Sequence, residues 1–449
     1  MQQGGKTSLF VILIAASAAT AGLIFGYDVA VLNGALVFLR TGFRLSPLET
    51  GMIPTMLLAG CAIGAAVSGS ASDRYGRRMV LLAAGVLFCA SSAGAALCGH
   101  LWQLLAARLL AGVGAGSASV IAPLYIAEIA PAHARGRLVT LNQLGIVCGI
   151  LLGSLVNYNL AALAHDNWRW MFAVGSLPAL ALCVSLVWIP ESPRWLLQHG
   201  RRAEARSVLQ RVSPGTDVER EIAEIGMALR EETGTYRELL GRALRRPMVL
   251  TIMLAIIQQV TGINTVMYYG GIIFSEHAGA SAAQAIGMNV LVGVVNLIFT
   301  IIGLLLIDRL GRRPLLLTAT GGMGVCLFLF AGMLRFMHGQ SMLLLLPVLG
   351  YVAFFAFGLG TAVWVCLAEL FPNRIRGRAM SIATMVLWIS VSCVTATFLS
   401  LIGYFTASGV FLGYALICAA SFVYISLRLP ETKNRTLEEI EQLWVKEQA

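Results

Sequence analysis

Two residues of opposite charge stand inside stretches that are otherwise apolar, Asp28 and Arg108. A charged side chain at the centre of a hydrocarbon-crossing helix costs about 2.5–3.5 kcal/mol on insertion scales. Pairing the two would offset part of that cost. The pair reads either as a static structural bridge or as a switch. Burial favours the neutral acid and a neighbouring guanidinium favours the carboxylate, so a conformational change that separated them would alter the acid's hold on a proton. A second group is neutral: Gln258, Gln259 and Asn264 cluster around Gly262, with Gln143 and Asn296 in other apolar stretches. Amides donate and accept hydrogen bonds at once, which suits a neutral, hydroxyl-bearing ligand. A charged ligand would call for several Arg, Lys or carboxylates in their place. Amides also bond helix to helix in membranes, and the residue types alone leave the two roles even.

These residues sit in elements of one kind. The chain has 449 residues, 58% hydrophobic and 12% charged, with a mean hydropathy of +0.79. Soluble domains carry about 25% charged residues. Apolar runs long enough to cross ~30 Å of hydrocarbon, about 20 residues, fall near 9–38, 47–70, 79–99, 102–126, 138–160, 170–189, 248–275, 282–307, 314–337, 342–367, 379–403 and 408–428. The fold class is all-α integral membrane, with twelve spans.

The net charge of +10 is explained by its distribution. If the N-terminus is cytoplasmic, 27 of the 32 Lys and Arg lie on that side, four outside (Arg40, Arg44, Arg169, Arg335) and Arg108 in a span. This is the positive-inside bias. It places both termini in the cytoplasm of a multi-pass cell-membrane protein, and no aromatic-interleaved basic patch suggests nucleic acid. The first apolar stretch is too long for a signal-peptide core and contains Asp28, so it reads as a retained helix. The nine Cys are scattered through the spans, with no CxxC pair and no His at metal spacing. Neither a metal nor another cofactor is expected.

Composition shifts between about 190 and 247, where RRAEARSVLQRV and DVEREIAEIGMALREE are charged and amphipathic, separated by Ser213-Pro214-Gly215. The tail TLEEIEQLW opens with a capping box, Thr436 to Glu439. SDRYGRR at 72–78 matches IDRLGRR at 307–313, and EIAPAHARGR at 128–137 matches ELFPNRIRGR at 369–378, while PESPRW at 190–195 weakly echoes PETKNR at 430–435. The offsets are 235, 241 and 240, which indicates a duplicated six-helix unit. The expected organisation is therefore two pseudo-symmetric six-helix bundles, 1–189 and 248–428, with a small cytoplasmic helical insert at 190–247 and a cytoplasmic tail at 429–449. Parallel repeats of this kind place a substrate site near the bilayer midplane.

The motifs GYD (26–28), DRYGRR (73–78), RLLAGVGAG (108–116), PLYIAEIAP with RGR (123–137), PESPRWL (190–196), QQVTGIN with YY (258–269), DRLGRR (308–313), ELFPNRIRGR (369–378) and PETK (430–433) run along almost the whole chain. With them the sequence resembles the sugar porters of the major facilitator superfamily. The resemblance implies that Asp28, paired with Arg108, couples transport to protons, because facilitators of the family usually carry Asn at that position. It also implies that Gln143, Gln258, Gln259, Asn264 and Asn296 bind sugar. Trp364 and Trp388 would then face the C–H surface of the sugar, against packing or interface anchoring as the plain alternative. Tyr268 and Tyr269 resemble an extracellular gate, with tyrosine packing the equal alternative. Asp73, Arg74, Arg77, Glu128 and Arg135, with Asp308, Arg309, Glu369 and Arg376, would form a cytoplasmic salt-bridge gate; the plain alternative is charge that only sets topology.

Three positions depart from the family. Where many members read WGP, two residues and Trp, this chain has Leu359-Gly360-Thr361 before Trp364. Leu387 replaces a Gln or Asn found before Trp388 in some relatives. The tenth span is expected to bend less, and sugar identity is not transferable.

Gly112-x-Gly114-x-Gly116 lies in an apolar span after no strand, so it reads as close helix packing. Gly5-Lys6-Thr7 lacks the preceding residues of a phosphate loop. ATP-driven pumping and catalysis are disfavoured. The expectation is proton-coupled import of a neutral hexose or pentose by alternating access, by a protein functional as a monomer. A passive facilitator is the first alternative and a transporter-like sugar sensor the second.

Overall fold

The computed structural model describes residues 9–131, 134–163, 166–212, 217–231, 241–277, 279–336, 341–371, 373–431 and 433. Every regular element among them is helical. The first five spans are Leu9–Gly42, Pro47–Tyr75, Arg77–Leu97, Leu101–Ile129 and Arg135–Leu160. The sixth is Asn167–Val174 with Ser176–Trp188, and the seventh is Arg242–Val260 with Ile263–Ile272, ending in a π turn, Ile273–His277. The eighth and ninth are Ala282–Leu310 and Arg312–Phe336. The tenth joins Ser341–Phe354 to Gly360–Glu369 through a second π turn, Phe355–Leu359.

Asn373–Arg428 is written as one helix of 56 residues. At 1.5 Å per residue it would run about 84 Å, far more than a bilayer. Thr406, at φ 62 and ψ 161, breaks it. The 11 long apolar stretches among the described residues therefore hold twelve spans, the last stretch supplying two. Several spans run beyond the apolar runs read from sequence. The second continues through Asp73 to Tyr75, because polar residues at a bundle end keep helical hydrogen bonds while their side chains reach water.

The insert holds Pro193–Gln198, Arg202–Val212 and Val218–Glu231. Ser192 caps the first through the Trp195 backbone N–H. In the second, Ala205, Val208, Leu209 and Val212 are buried at helical spacing, an amphipathic stripe. Ser213-Pro214-Gly215 and the tail segment 436–444 lie outside the described residues.

The chain forms two compact units. One comprises Met1–Asp28, Gly60–Gly149 and Phe172–Thr233; the other comprises Val29–Ala59, Ile150–Met171 and Gly234–Ala449. In the first unit Gly116 lets the fourth span touch the second: a Cβ there would lie 2.0 Å from the Cys61 carbonyl oxygen. The run Gly112–Gly116 is thus a packing seam. In the second unit an aromatic core forms around Phe398, Phe411 and Phe330.

Candidate functional site

In the first unit, Arg108 projects from the fourth span among small residues, Ala107, Ala111 and Ala115, and is 0% exposed. Its Nη1 donates to Asp28 Oδ1 at 2.6 Å and its Nη2 donates to Ser91 Oγ at 3.4 Å. The guanidinium carbon stands 4.8 Å from the centroid of Phe172. Asp28 is 7% exposed. Its second oxygen, Oδ2, is buried and has no hydrogen-bond partner among the described residues. The two charges that sequence reasoning paired are in contact, and one buried carboxylate oxygen is left over. Gln143, also in this unit, is half-buried on the fifth span.

In the second unit the seventh span breaks at Thr261 and Gly262, where φ is +90°. The break carries three amides in a directional chain. Gln258 Nε2 donates to the Leu359 carbonyl at 3.0 Å, Gln259 Nε2 to Gln258 Oε1 at 3.2 Å, and Asn264 Nδ2 to Gln259 Oε1 at 2.5 Å. Tyr351 fixes the break from the tenth span, its hydroxyl donating to the Thr261 carbonyl at 2.9 Å. Although Thr361 replaces the helix-breaking proline, the tenth span still leaves α geometry in the π turn that ends at Leu359. Asn296 is buried on the eighth span, Trp388 is buried on the eleventh and Trp364 is half-buried on the tenth. Tyr268 and Tyr269 are both buried; Tyr269 donates to the Thr395 carbonyl at 2.9 Å and stacks on Phe398 at 5.3 Å.

The Arg-rich turns build the same device twice. Arg77 grips Glu128 with two nitrogens, Nε to Oε2 at 3.0 Å and Nη2 to Oε1 at 3.1 Å, and reaches Asp73 at 3.2 Å. Ser192 donates to the same Glu128. Gly76 turns into the third span at φ +95°, a conformation that only glycine adopts easily. In the repeat, Arg312 binds Glu369 at 2.7 Å and Asp308 at 3.2 Å, behind Gly311 at φ +93°. Arg74 and Arg309 are exposed. The side chains of Arg135 and Arg376 lie outside the described residues.

Sequence reasoning missed two members. Glu191 accepts the backbone N–H groups of Arg77 and Arg78 at 3.0 and 3.1 Å. Glu431 accepts those of Arg312 and Arg313, both at 3.0 Å. The only signal was the weak echo of PES in PET. Burial pushes the Glu191 carboxyl above the usual carboxylate range, against the lowering pull of the Ser192, Arg78 and Arg77 N–H groups and the Arg77 charge. Among the described residues no cluster of His, Cys, Asp and Glu could hold a metal ion.

The family model described as "Sugar (and other) transporter" matches residues 14–444. The chain is 35% identical over 428 residues to the D-xylose transporter of Levilactobacillus brevis, covering 94% of this chain and 93% of the relative. It is 36% identical over 444 residues to the arabinose-proton symporter of Bacillus subtilis, covering 97% and 96%. The partially occluded inward-open structure of the Escherichia coli xylose transporter superposes with a TM-score of 0.86 at 33% identity, over 96% of this chain and 100% of that one.

Proposed function

The chain belongs to the sugar porter family of the major facilitator superfamily, and on that premise we propose that it imports a neutral monosaccharide, a hexose or pentose, together with protons. The observation that carries the coupling is the buried Asp28–Arg108 contact at 2.6 Å, with Asp28 Oδ2 as the atom that takes up the proton. Protonation at Oδ2 removes the charge that holds Arg108, and the pair can then part without leaving an unpaired carboxylate in a buried site. The names of the arabinose relative and of a D-xylose-proton symporter of Escherichia coli, 36% identical, support proton coupling.

The sugar is held by the amides Gln143, Gln258, Gln259, Asn264 and Asn296, with Trp364 and Trp388 against its C–H surface. The chain of three amides supports this assignment. Gln258 and Gln259 each spend one N–H and one oxygen lone pair along the chain and Asn264 spends one N–H, and each keeps a second N–H and a further lone pair for hydroxyls. Tyr268 and Tyr269 gate the outer side. Arg77 with Glu128 and Arg312 with Glu369 gate the cytoplasmic side, with Asp73, Arg74, Arg135, Asp308, Arg309 and Arg376 around them. The two six-helix halves, 1–189 and 248–428, rock about the sugar, joined by the insert 190–247, with the termini in the cytoplasm of a cell-membrane protein that functions as a monomer.

Each proton entering down a membrane potential brings about 2.3 kcal/mol per 100 mV, and about 1.4 kcal/mol is a tenfold concentration ratio. One coupled proton therefore sustains uphill accumulation of more than tenfold. The test is flux in proteoliposomes across a panel of xylose, arabinose, glucose and galactose. The transported sugar should drive alkalinisation of the outer medium and should accumulate under an imposed pH gradient. Sugar entry with no proton movement would leave a passive facilitator.

A further inference from the structure

Asn33 lies on the first span, five residues beyond Asp28, and none of the roles above uses it. It is 5% exposed. Its Oδ1 accepts the Gly271 backbone N–H at 2.7 Å and Asn289 Nδ2 at 3.2 Å. Its Nδ2 donates to the carbonyls of Met267 at 2.8 Å and Val266 at 3.1 Å. One amide thus joins the first span to the outer part of the seventh and to the eighth, all within one compact unit. The contact is close because the seventh span offers glycine there. A Cβ on Gly271 would lie 2.8 Å from Val37 Cγ2 and 3.0 Å from the Asn33 carbonyl oxygen. The α geometry of the seventh span gives way to a π turn at Ile273, two residues further on. Seven residues along the first span, on the same helical face, Arg40 pairs with Glu276 of that π turn.

We propose that Asn33 is a latch that holds the first and seventh spans together at the end of the bundle away from the Arg-rich turns. Parting the first span from the seventh breaks the three bonds to Gly271, Met267 and Val266 together at a buried side chain, so the amide sets the balance between the closed and open states of that end. Neither an isosteric hydrocarbon nor an acid can substitute. Leucine makes none of the bonds, and aspartate aims oxygens at the carbonyls of Val266 and Met267. Asn33 is a positioning residue and touches no sugar. The inference rests on the transport reading for its consequence, although the test below needs no sugar.

The experiment places a reporter cysteine, Val37→Cys, in the full chain in vesicles and measures its alkylation by a membrane-impermeant maleimide, with the chain lacking that substitution as baseline for the nine native cysteines. Asn33→Ala and Asn33→Asp should each speed alkylation at least tenfold. Asn289→Ala, which removes one partner, should speed it less. Gly271→Ala, which wedges the same contact with a methyl group, should act in the same direction by a different route. A Trp fluorescence melt accompanies each variant, because a merely structural role would lower the melting temperature without changing the labelling rate of folded protein. Labelling within twofold of the parent in those variants that are recovered folded overturns the latch. Faster labelling in a protein that moves no sugar would leave the latch standing and remove the transport reading instead.

Discussion

Glu191 and Glu431 are 240 positions apart in sequence and do the same job in the two repeats. Each uses its carboxylate to accept the first two backbone N–H groups of a span, Arg77 and Arg78 for one, Arg312 and Arg313 for the other. Those N–H groups have no partner within their own helix, and the N-terminal end of a helix favours negative charge. The arginines complete the link from their side chains. Arg78 Nε donates to the Leu186 carbonyl at 2.7 Å, and Arg313 Nη2 to the Ser426 carbonyl at 2.6 Å. The end of the sixth span is thereby pinned to the start of the third, and the end of the twelfth to the start of the ninth.

Removing either cap should cost what a lost helix cap costs, about 0.5–2 kcal/mol. We expect Glu191→Ala and Glu431→Ala each to lower the melting temperature in detergent by a few degrees. Glu191 also carries a pH signature. Burial raises its affinity for a proton in the folded protein above that of the unfolded chain, so beyond the cap itself its protonation adds a stability increment that is fully present below the ordinary carboxylate range and is lost as pH rises through the raised value. Melting curves from pH 4 upward should show this slope in the parent and not in Glu191→Gln. The same slope in both would exclude Glu191 as its source.

The two arginine–glutamate pairs differ in burial, which ranks their mutants. Arg77 and Glu128 are each 5% exposed in their side chains, against 13% and 26% for Arg312 and Glu369. Breaking a buried pair by removing one partner costs about 3–5 kcal/mol, because the other charge stays behind without water. Arg77→Ala should therefore destabilise by about that much and Arg312→Ala by less. Chemical denaturation of the two purified variants gives the order directly, and an equal loss would mean that burial does not set the cost.

The twelve spans were legible because each must be apolar over about 20 residues, a constraint that needs no knowledge of neighbours. The Asp28–Arg108 contact was legible because two opposite charges in hydrocarbon have few other ways to lower their cost. Glu191, Glu431 and Asn33 were not. Their partners are backbone N–H and carbonyl groups, which every residue carries, so nothing in the side-chain pattern marks where they will be needed. The π turn at Phe355–Leu359 was equally hidden, since substituting Thr361 for proline pointed toward a straighter helix. The join at Thr406 was legible as a gap between apolar runs, 379–403 and 408–428, even though the backbone there is nearly continuous helix.

The amide chain makes a prediction about polarity. Asn264 donates to Gln259 Oε1, and an aspartate there offers only acceptors. Asn264→Asp should unseat Gln259 and weaken binding of the transported sugar about tenfold. Asn264→Ala should weaken it less, since a neutral hydrogen bond is worth about 0.5–1.5 kcal/mol net. Sugar titrations followed by Trp fluorescence measure both. Equal affinities in the two variants would show that the chain does not orient the site.

The last prediction separates moving sugar from driving it. Asp28→Asn keeps the shape of the side chain and can still accept a hydrogen bond from Arg108, so the fold should survive with a loss smaller than that of Arg108→Ala, for which about 3–5 kcal/mol is expected. What it removes is the titratable oxygen. With no proton to take up at Oδ2, Asp28→Asn should exchange labelled for unlabelled sugar across proteoliposomes while failing to accumulate sugar under a pH gradient. The pH dependence of uptake should flatten in the same variant. If Asp28→Asn accumulates sugar as the parent does, Asp28 does not carry the coupling proton, and the Asp28–Arg108 contact is a structural bridge in a protein driven by another group or by none.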